Sequence, residues 1–315
     1  MIDSLVQIGG GARPAPARPR LPEWARRSKT HYESLNHLKR GLRELKLHTV
    51  CEEARCPNIH ECFHRGAATF MILGERCTRG CGFCSVQRLN PRKHAVQLDA
   101  SEPANVARMA REMKLRYVVI TSVNRDDLED GGSHHFAATV REVRRAVPEA
   151  RVEVLTPDFC GRLDAVARVL EAGPHVFNHN METAPRLYPR VRPQADYRQS
   201  LEVLEFARGA AAPGVLTKSG FMVGLGETAD EVRTLLRDLR AAGTDVATIG
   251  QYLQPTRRNL PVAEFVDPRR FEEYRDYGMG LGFKAVFSGP LVRSSYMADV
   301  VSSGLIHDEA RREPC

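Results

Sequence analysis

Six of the chain's eight cysteines fall between Cys51 and Cys84, in two triplets of different spacing. Cys77, Cys81 and Cys84 read C-x3-C-x2-C; Cys51, Cys56 and Cys62 read C-x4-C-x5-C. Thiolates suit iron–sulfur clusters and zinc alike. Structural zinc takes four closed ligands, usually in paired C-x2-C or Cys2His2 units, and the second triplet has no fourth cysteine or histidine at short range. Three thiolates are one fewer than an iron–sulfur cube takes, so one iron stays open to a substrate or to a different side chain. The first triplet, with His60 and His64 beside it, also admits a zinc Cys3His reading. Cys160 and Cys315 stand alone and are read as incidental thiols.

The elements that must carry these residues alternate along the chain. A short basic helix is expected over residues 32–45, with Leu35, Leu38, Leu42 and Leu45 on one face. Ala68 to Leu73 reads as a buried strand running into the second triplet. Further strands are expected at Tyr117 to Thr121, Val152 to Leu155, His175 to Asn178, Thr217 to Val223 and Val246 to Gln251, and a last short one at Ala285 to Phe287. Between them lie helical patterns: one capped by Ser101 with Pro103 in its first turn, then residues 134–147, 162–171 and 196–208, one opened by a Thr228–Glu231 capping box and closed by Gly243, and 269–280. Six strand–helix units require a parallel sheet with right-handed crossovers. A closed or partial barrel and an open doubly wound sheet both satisfy the pattern, and in both the ligand end is the carboxyl end of the strands.

Composition narrows the class. The chain has 315 residues, 42% hydrophobic and 27% charged, as ordinary globular proteins have. No apolar run approaches the roughly 20 residues of a membrane span, and no secretory signal opens the chain. Clustered thiols then point to a reducing, cytoplasmic setting. Of the net charge of +7, nearly all sits in residues 1–50, which hold ten Lys or Arg against four acidic residues. Such a segment could meet an acidic partner, although Arg-Pro and Ala-Pro repeats make residues 1–22 a disordered, basic, Pro-rich leader.

With an aromatic, Phe83, before its third cysteine, the second triplet resembles that of the radical S-adenosylmethionine enzymes. Within that superfamily the two triplets in this order, together with Arg293-Ser294-Ser295-Tyr296, resemble the lipoyl synthases. The likeness runs from about Trp24 to Ala298. It includes Ala68 to Gly74, Thr121 to Leu128, Phe177 to Asn180, Thr217 to Gly220, Gly224 to Glu227 and Gly250 to Pro255. The resemblance implies an α/β fold, a partial TIM-type (β/α)6 barrel over residues 67–288. An N-terminal extension, 23–66, and a C-terminal segment, 289–315, would cover the barrel mouth. It implies a 4Fe–4S cluster on Cys77, Cys81 and Cys84 whose open iron chelates S-adenosylmethionine, and an auxiliary 4Fe–4S cluster on Cys51, Cys56 and Cys62. The fourth ligand of the auxiliary cluster would be Ser295, or failing it Ser294. The implied reaction inserts two sulfur atoms, at the sixth and eighth carbons of a protein-bound octanoyl-lysine, with the auxiliary cluster as sulfur source. The partners implied are octanoylated lipoyl-carrier domains (2-oxoacid dehydrogenase E2 subunits and the glycine cleavage H protein), a reducing electron donor, and an iron–sulfur carrier that rebuilds the auxiliary cluster. Neither nucleic acid nor membrane is expected.

Candidate cofactor contacts sit at strand ends: Phe83 near the adenine, Thr121 and Ser122 after the second strand, and Asn178, Asn180 and Glu182 after the fourth. Arg192 is a candidate carboxylate clamp. Each has an ordinary structural alternative, since polar residues at strand ends also cap loops. Gly220 to Gly226 does not match G-x-G-x-x-G, and close backbone packing explains it better. His134-His135 is placed on a helix start. A tRNA methylthiotransferase would carry further domains, biotin synthase would hold auxiliary cysteines inside the barrel, and a zinc-dependent nucleic-acid module would not need six strand–helix units.

Overall fold

The computed structural model describes residues 22, 40–53, 58–90 and 97–295. Cys56, Cys315, residues 1–21 of the basic leader, residues 32–39 of the expected first helix and the tail from residue 296 lie outside the described residues. One eight-stranded sheet organises the rest. Its strands are β1 (His48–Thr49), β2 (Ala67–Ile72), β3 (Tyr117–Ser122), β4 (Arg151–Leu155), β5 (Val176–Asn178), β6 (Leu216–Val223), β7 (Val246–Gln251) and β8 (Ala285–Gly289). They stand in chain order, and every pairing from β2 to β8 is parallel. A doubly wound sheet would reverse its strand order at a switch point. No reversal occurs, so the sheet curls in one direction as a barrel does. It does not close: β1 and β8 are the two edges. The antiparallel strand β1, paired to β2 through His48↔Met71 and Thr49↔Phe70, has no counterpart in the sequence reading.

Each crossover carries a helix: α1 (Glu102–Glu112), α2 (Ser133–Ala146), α3 (Leu163–Glu171), α4 (Tyr197–Ala210), α5 (Ala229–Ala241) and α6 (Pro268–Gly280). The capping box of Thr228 and Glu231 opens α5 as expected. Gly243, at φ 78°, supplies the left-handed turn after it. Ser101 does occupy the position before α1, but its hydroxyl donates to Asp99 at 2.6 Å rather than capping the helix. His134 and His135 do open α2, each against a carboxylate: Asp130 at 2.8 Å and Glu102 at 2.7 Å.

The two-residue period of the strands sorts side chains between the faces. Phe70, Ile72, Val118, Ile120, Val152, Val154 and Phe177 enter the large core under the helices. The alternate residues Ala67, Tyr117 and Val119, with Leu155, form a separate cluster inside the curl. Next to it lies a charged floor. Lys218 Nζ, on β6, reaches across β5 to both carboxylate oxygens of Glu153 at 3.1 Å, and both side chains are fully buried. Tyr117 Oη donates to Glu153 at 2.7 Å and Asn178 Nδ2 at 2.9 Å, which completes the carboxylate's hydrogen bonding. Removing one member of such a pair leaves an uncompensated charge. Lys218→Met is expected to lower unfolding stability by about 3–5 kcal/mol. Urea denaturation reads this directly, and a loss under about 1 kcal/mol would show the floor to be wet.

Candidate active site

The second triplet leaves β2 at the carboxyl end of the sheet, and its backbone is pinned from several sides. Thr78 N–H donates to Asn124 O at 2.9 Å and Gly82 N–H to Val191 O at 2.8 Å. Gly80 N–H donates to the Gln194 side chain at 2.7 Å, and Asn259 Nδ2 donates to Cys84 O at 2.7 Å. These partners follow β3, β5 and β7, so the cysteine loop is held by the barrel rim and not by its own short sequence.

Arg79, between the first two cysteines, adds the strongest tie. Its buried guanidinium donates to both oxygens of Asp158, past β4, at 2.6 Å each, and to both oxygens of Asp126, past β3, at 2.8 and 3.0 Å. Charge-assisted, two-pronged bonds of this kind fix geometry as well as adding energy. Burial works to raise the Asp158 carboxyl, but the hydrogen bonds and charge of Arg79 prevail and hold it down at about 2. The chain that presents Asp158 is strained: Phe159, Cys160 and Gly161 are all left-handed, at φ 47°, 54° and 78°. For the two non-glycine residues this costs about 1–3 kcal/mol each. It is sustained by Cys160 N–H donating to Asp158 Oδ1 at 3.0 Å and by Phe159 buried edge-on against Phe136. Cys160 is thus not incidental in position, since its Sγ lies 3.3 Å from Asp126 Oδ1 and 3.6 Å from Arg79 Nη2. The clamp went unnoticed in the sequence because its partners are 47 and 79 residues away from Arg79.

Inside this rim lies a cavity of about 300 Å³. Cys77, Cys81 and Cys84 line it, and so do Ser294 and Ser295 from the other end of the chain. Burial raises the Cys77 thiol and pushes Cys81 up to about 11, although the charge of Arg192 opposes the latter. Cys84 is exposed, yet the protein crowding its sulfur pushes that thiol up to about 12. All three therefore favour the neutral thiol, and a metal bound there would have to take the proton's place. Asn124 N–H already points at Cys77 Sγ at 3.3 Å, a donor suited to a thiolate. Among the described residues no three Cys, His, Asp or Glu side chains converge as a single ion requires. Thiols that share a cavity without sharing a point suit a cube, where each iron takes its own thiolate.

Of the expected cofactor contacts, Phe83, Thr121, Ser122, Asn180, Glu182 and Arg192 line the cavity. Asn178 does not: its amide belongs to the floor with Glu153. The donor set fits an amphipathic, charged ligand. Ser122 Oγ, Thr156 Oγ1, Thr248 Oγ1 and Arg192 Nε are buried at the wall with no hydrogen-bond partner among the described residues. Leu155, Val123 and Phe83 supply apolar surface beside them. Glu182 sits at φ 65°, held there by its N–H donating to Gly220 O at 3.0 Å and its carbonyl accepting from Met222 N–H at 2.9 Å. Loss of water pushes its carboxyl up, and the charge of Arg192 opposes the shift. Gly220 is needed for closeness, since a Cβ there would stand 2.5 Å from Thr248 Oγ1 and 2.9 Å from Asn180 Oδ1.

Cys51 is buried at the start of the helical turn Val50–Glu53, and Cys62 lies on the short helix Ile59–His64. Neither lines the cavity, although Val50 does. The first-triplet segment is nevertheless tied to the serine-bearing strap, residues 290–295 after β8, because Asn58 Nδ2 donates to Leu291 O at 2.8 Å. This bond spans the side on which β1 and β8 leave the barrel open.

His179 was not singled out in the sequence beyond its place in a matching motif, yet it lines the cavity at 1% exposure. Burial, aided by the charge of Arg192, holds its imidazole down at about 4, against the opposing pull of Asp158. In the unfolded chain the ring takes a proton near pH ~6.5. Between those values the unfolded state binds more protons, so stability falls as pH falls, by up to about 3 kcal/mol from this ring. Urea unfolding at about pH 7.5 and about pH 5 should show a larger loss in wild type than in His179→Gln. Equal losses would remove His179 as the source.

Comparison with known proteins places these features. A family model described as the radical SAM superfamily matches residues 71–239. Another, described as the N-terminal domain of lipoyl synthase of the radical SAM family, matches residues 9–56. A curated protein of Rubrobacter xylanophilus named lipoyl synthase is 55% identical over 277 residues, covering 88% of this chain and 85% of its own length. One of the same name from Hahella chejuensis is 53% identical over 289 residues, covering 91% and 86%. Among solved structures, HydG, a maturase of the [FeFe]-hydrogenase, superposes with a TM-score of 0.57 at 14% identity over 87% of this chain and 61% of that one. Methylornithine synthase does so with a TM-score of 0.52, also at 14% identity, over 88% and 77%. At such identities the two structures speak for the shared fold alone.

Proposed function

The chain belongs to the lipoyl synthase family of the radical S-adenosylmethionine superfamily, and from that membership we propose how its own residues divide the work. As a radical S-adenosylmethionine sulfurtransferase it forms the lipoyl group, and its family brings a 4Fe–4S cluster and S-adenosylmethionine to the barrel. In our reading Cys77, Cys81 and Cys84 hold that cluster and leave one iron for the cofactor's amino and carboxylate groups. Cys51, Cys56 and Cys62, with Ser295 as fourth ligand, hold a second cube. When bound, these groups supply a radical able to take hydrogen from unactivated C–H bonds, and the sulfide that replaces it. Everything else is positioning by the protein.

That positioning is what the geometry supports. Arg79, Asp126 and Asp158 fix the cysteine loop; Thr121, Ser122, Asn180, Glu182 and Arg192 face the cofactor; Phe83 and its apolar neighbours keep water from the reacting carbon. A hard serine oxygen binds soft cluster iron less firmly than thiolate does, so the corner held by Ser295 can be released. The observation that carries the reading is that the second triplet and Ser295 line one cavity, while Asn58 bonds the first-triplet segment to the same strap. We propose octanoylated carrier domains (E2 subunits and the H protein) as substrates, with a reducing electron donor and an iron–sulfur carrier as partners in a reducing compartment. Among the described residues no helix is long and apolar enough to cross a membrane.

Anaerobic reconstitution should load about eight irons per chain, as two cubes require. Incubation with an octanoylated carrier and S-adenosylmethionine should add two sulfur atoms to the carrier by intact mass. Product from protein with only about four irons would remove the second cube as sulfur source.

A further inference from the structure

Unpartnered hydroxyls at the cavity wall can turn and act as donor or acceptor, but a ring nitrogen cannot. His179 Nδ1 lies 2.9 Å from the backbone carbonyl of Thr156. A carbonyl only accepts, so Nδ1 carries the hydrogen, and the neutral ring then presents Nε2 as a bare acceptor. The ring's mount is rigid at both ends. Thr156 N–H donates to Asn178 O at 2.9 Å, and His179 N–H donates to Lys218 O at 3.1 Å, so β4, β5 and β6 together fix where Nε2 stands. Nε2 is sealed from solvent and has no partner among the described residues, on a side chain that lines the cavity. A buried acceptor left unmet is unfavourable, and native structures rarely keep one without a use.

We propose that His179 is a cofactor-binding residue, its Nε2 accepting a hydrogen bond from an O–H or N–H group of bound S-adenosylmethionine. This rests on reading the cavity as the cofactor site. The cofactor brings ribose hydroxyls, an ammonium and an adenine amino group, all donors, whereas an octanoyl chain presents only C–H along its length. A nitrogen whose partner carbonyl forbids the other tautomer selects for a donor at that point. It does so without moving, because the strand ends hold it before the cofactor arrives.

Two substitutions separate the ring's two nitrogens. His179→Asn keeps an N–H near Nδ1 for the Thr156 carbonyl and loses the acceptor; His179→Gln places an amide oxygen near Nε2. Affinity of the anaerobically reconstituted holoenzymes for S-adenosylhomocysteine, which carries the same donors, is measured by titration calorimetry alongside iron content. His179→Asn should bind about tenfold or more weakly with iron content unchanged, and His179→Gln should stay within about threefold of wild type. Wild-type affinity in His179→Asn would overturn the proposal, as would equal losses in both variants, which would mark simple packing. Should His179→Asn fail to load iron, His179→Gln decides alone: retained affinity supports the acceptor role and lost affinity overturns it. A wild-type holoenzyme that binds neither S-adenosylhomocysteine nor S-adenosylmethionine would instead overturn the underlying reading of the cavity, and the proposal with it.

Discussion

Alanine at Cys77, Cys81 or Cys84 is expected to abolish cleavage of S-adenosylmethionine while the barrel stays folded. Each thiol is one of three lining the cavity, and the described residues offer no substitute. Cys51 and Cys62 do not reach the cavity, and Cys160 is engaged with Asp126 and Arg79 outside its lining. A cube deprived of one of three thiolates has two open corners and is lost or mis-set. The loop itself should survive, because its ties run mainly through Arg79, Thr78, Gly80 and Gly82, and only the Asn124 N–H contact reaches sulfur. Iron should therefore fall by about four per chain while thermal unfolding barely shifts. The check is deoxyadenosine production under strong chemical reduction. Continued production by any of the three variants would move the cluster elsewhere.

The strands and helices were legible because their signals are local. Val246 to Gln251 reads as a strand from its own six residues, and α5 from a threonine and a glutamate three positions apart. The cysteine triplets were legible for the same reason. What could not be read is whatever depends on residues far apart meeting at the rim. Arg79 looks like a spacer between cysteines until the curl of the sheet brings Asp126 and Asp158 to it. Asn178 looked like a cofactor contact because it ends a strand, but the buried charge of Glu153 claims its amide. His179 carried only its place in a matching segment and no sign of its role, since its character comes from a carbonyl 23 residues earlier. Strand order did not follow from periodicity either; pairing of each strand with its successor decided for a curled, unclosed sheet.

Ser295→Ala is expected to leave deoxyadenosine formation intact and stop sulfur transfer to the octanoyl chain. The strap that bears Ser295 is locked over the barrel by two independent features. One is the Asn58 bond to Leu291 O. The other is Gly250 on β7, where a Cβ would stand 2.1 Å from the Val292 carbonyl oxygen. Because that neighbour is backbone, valine at Gly250, itself a cavity-lining position, must push the strap outward, and it should show the same split as Ser295→Ala without replacing a proposed cluster ligand. Ser294→Ala is the control: Ser294 lines the cavity too, but as the less favoured ligand it should keep product formation. Two assays on one reaction mixture, deoxyadenosine by chromatography and carrier mass by spectrometry, separate the outcomes. Full lipoyl product from Ser295→Ala with none from Ser294→Ala would exchange the two serines, whereas loss of deoxyadenosine in Gly250→Val would mean that the strap, or the new side chain in the cavity wall, also shapes the cofactor's end of the cavity.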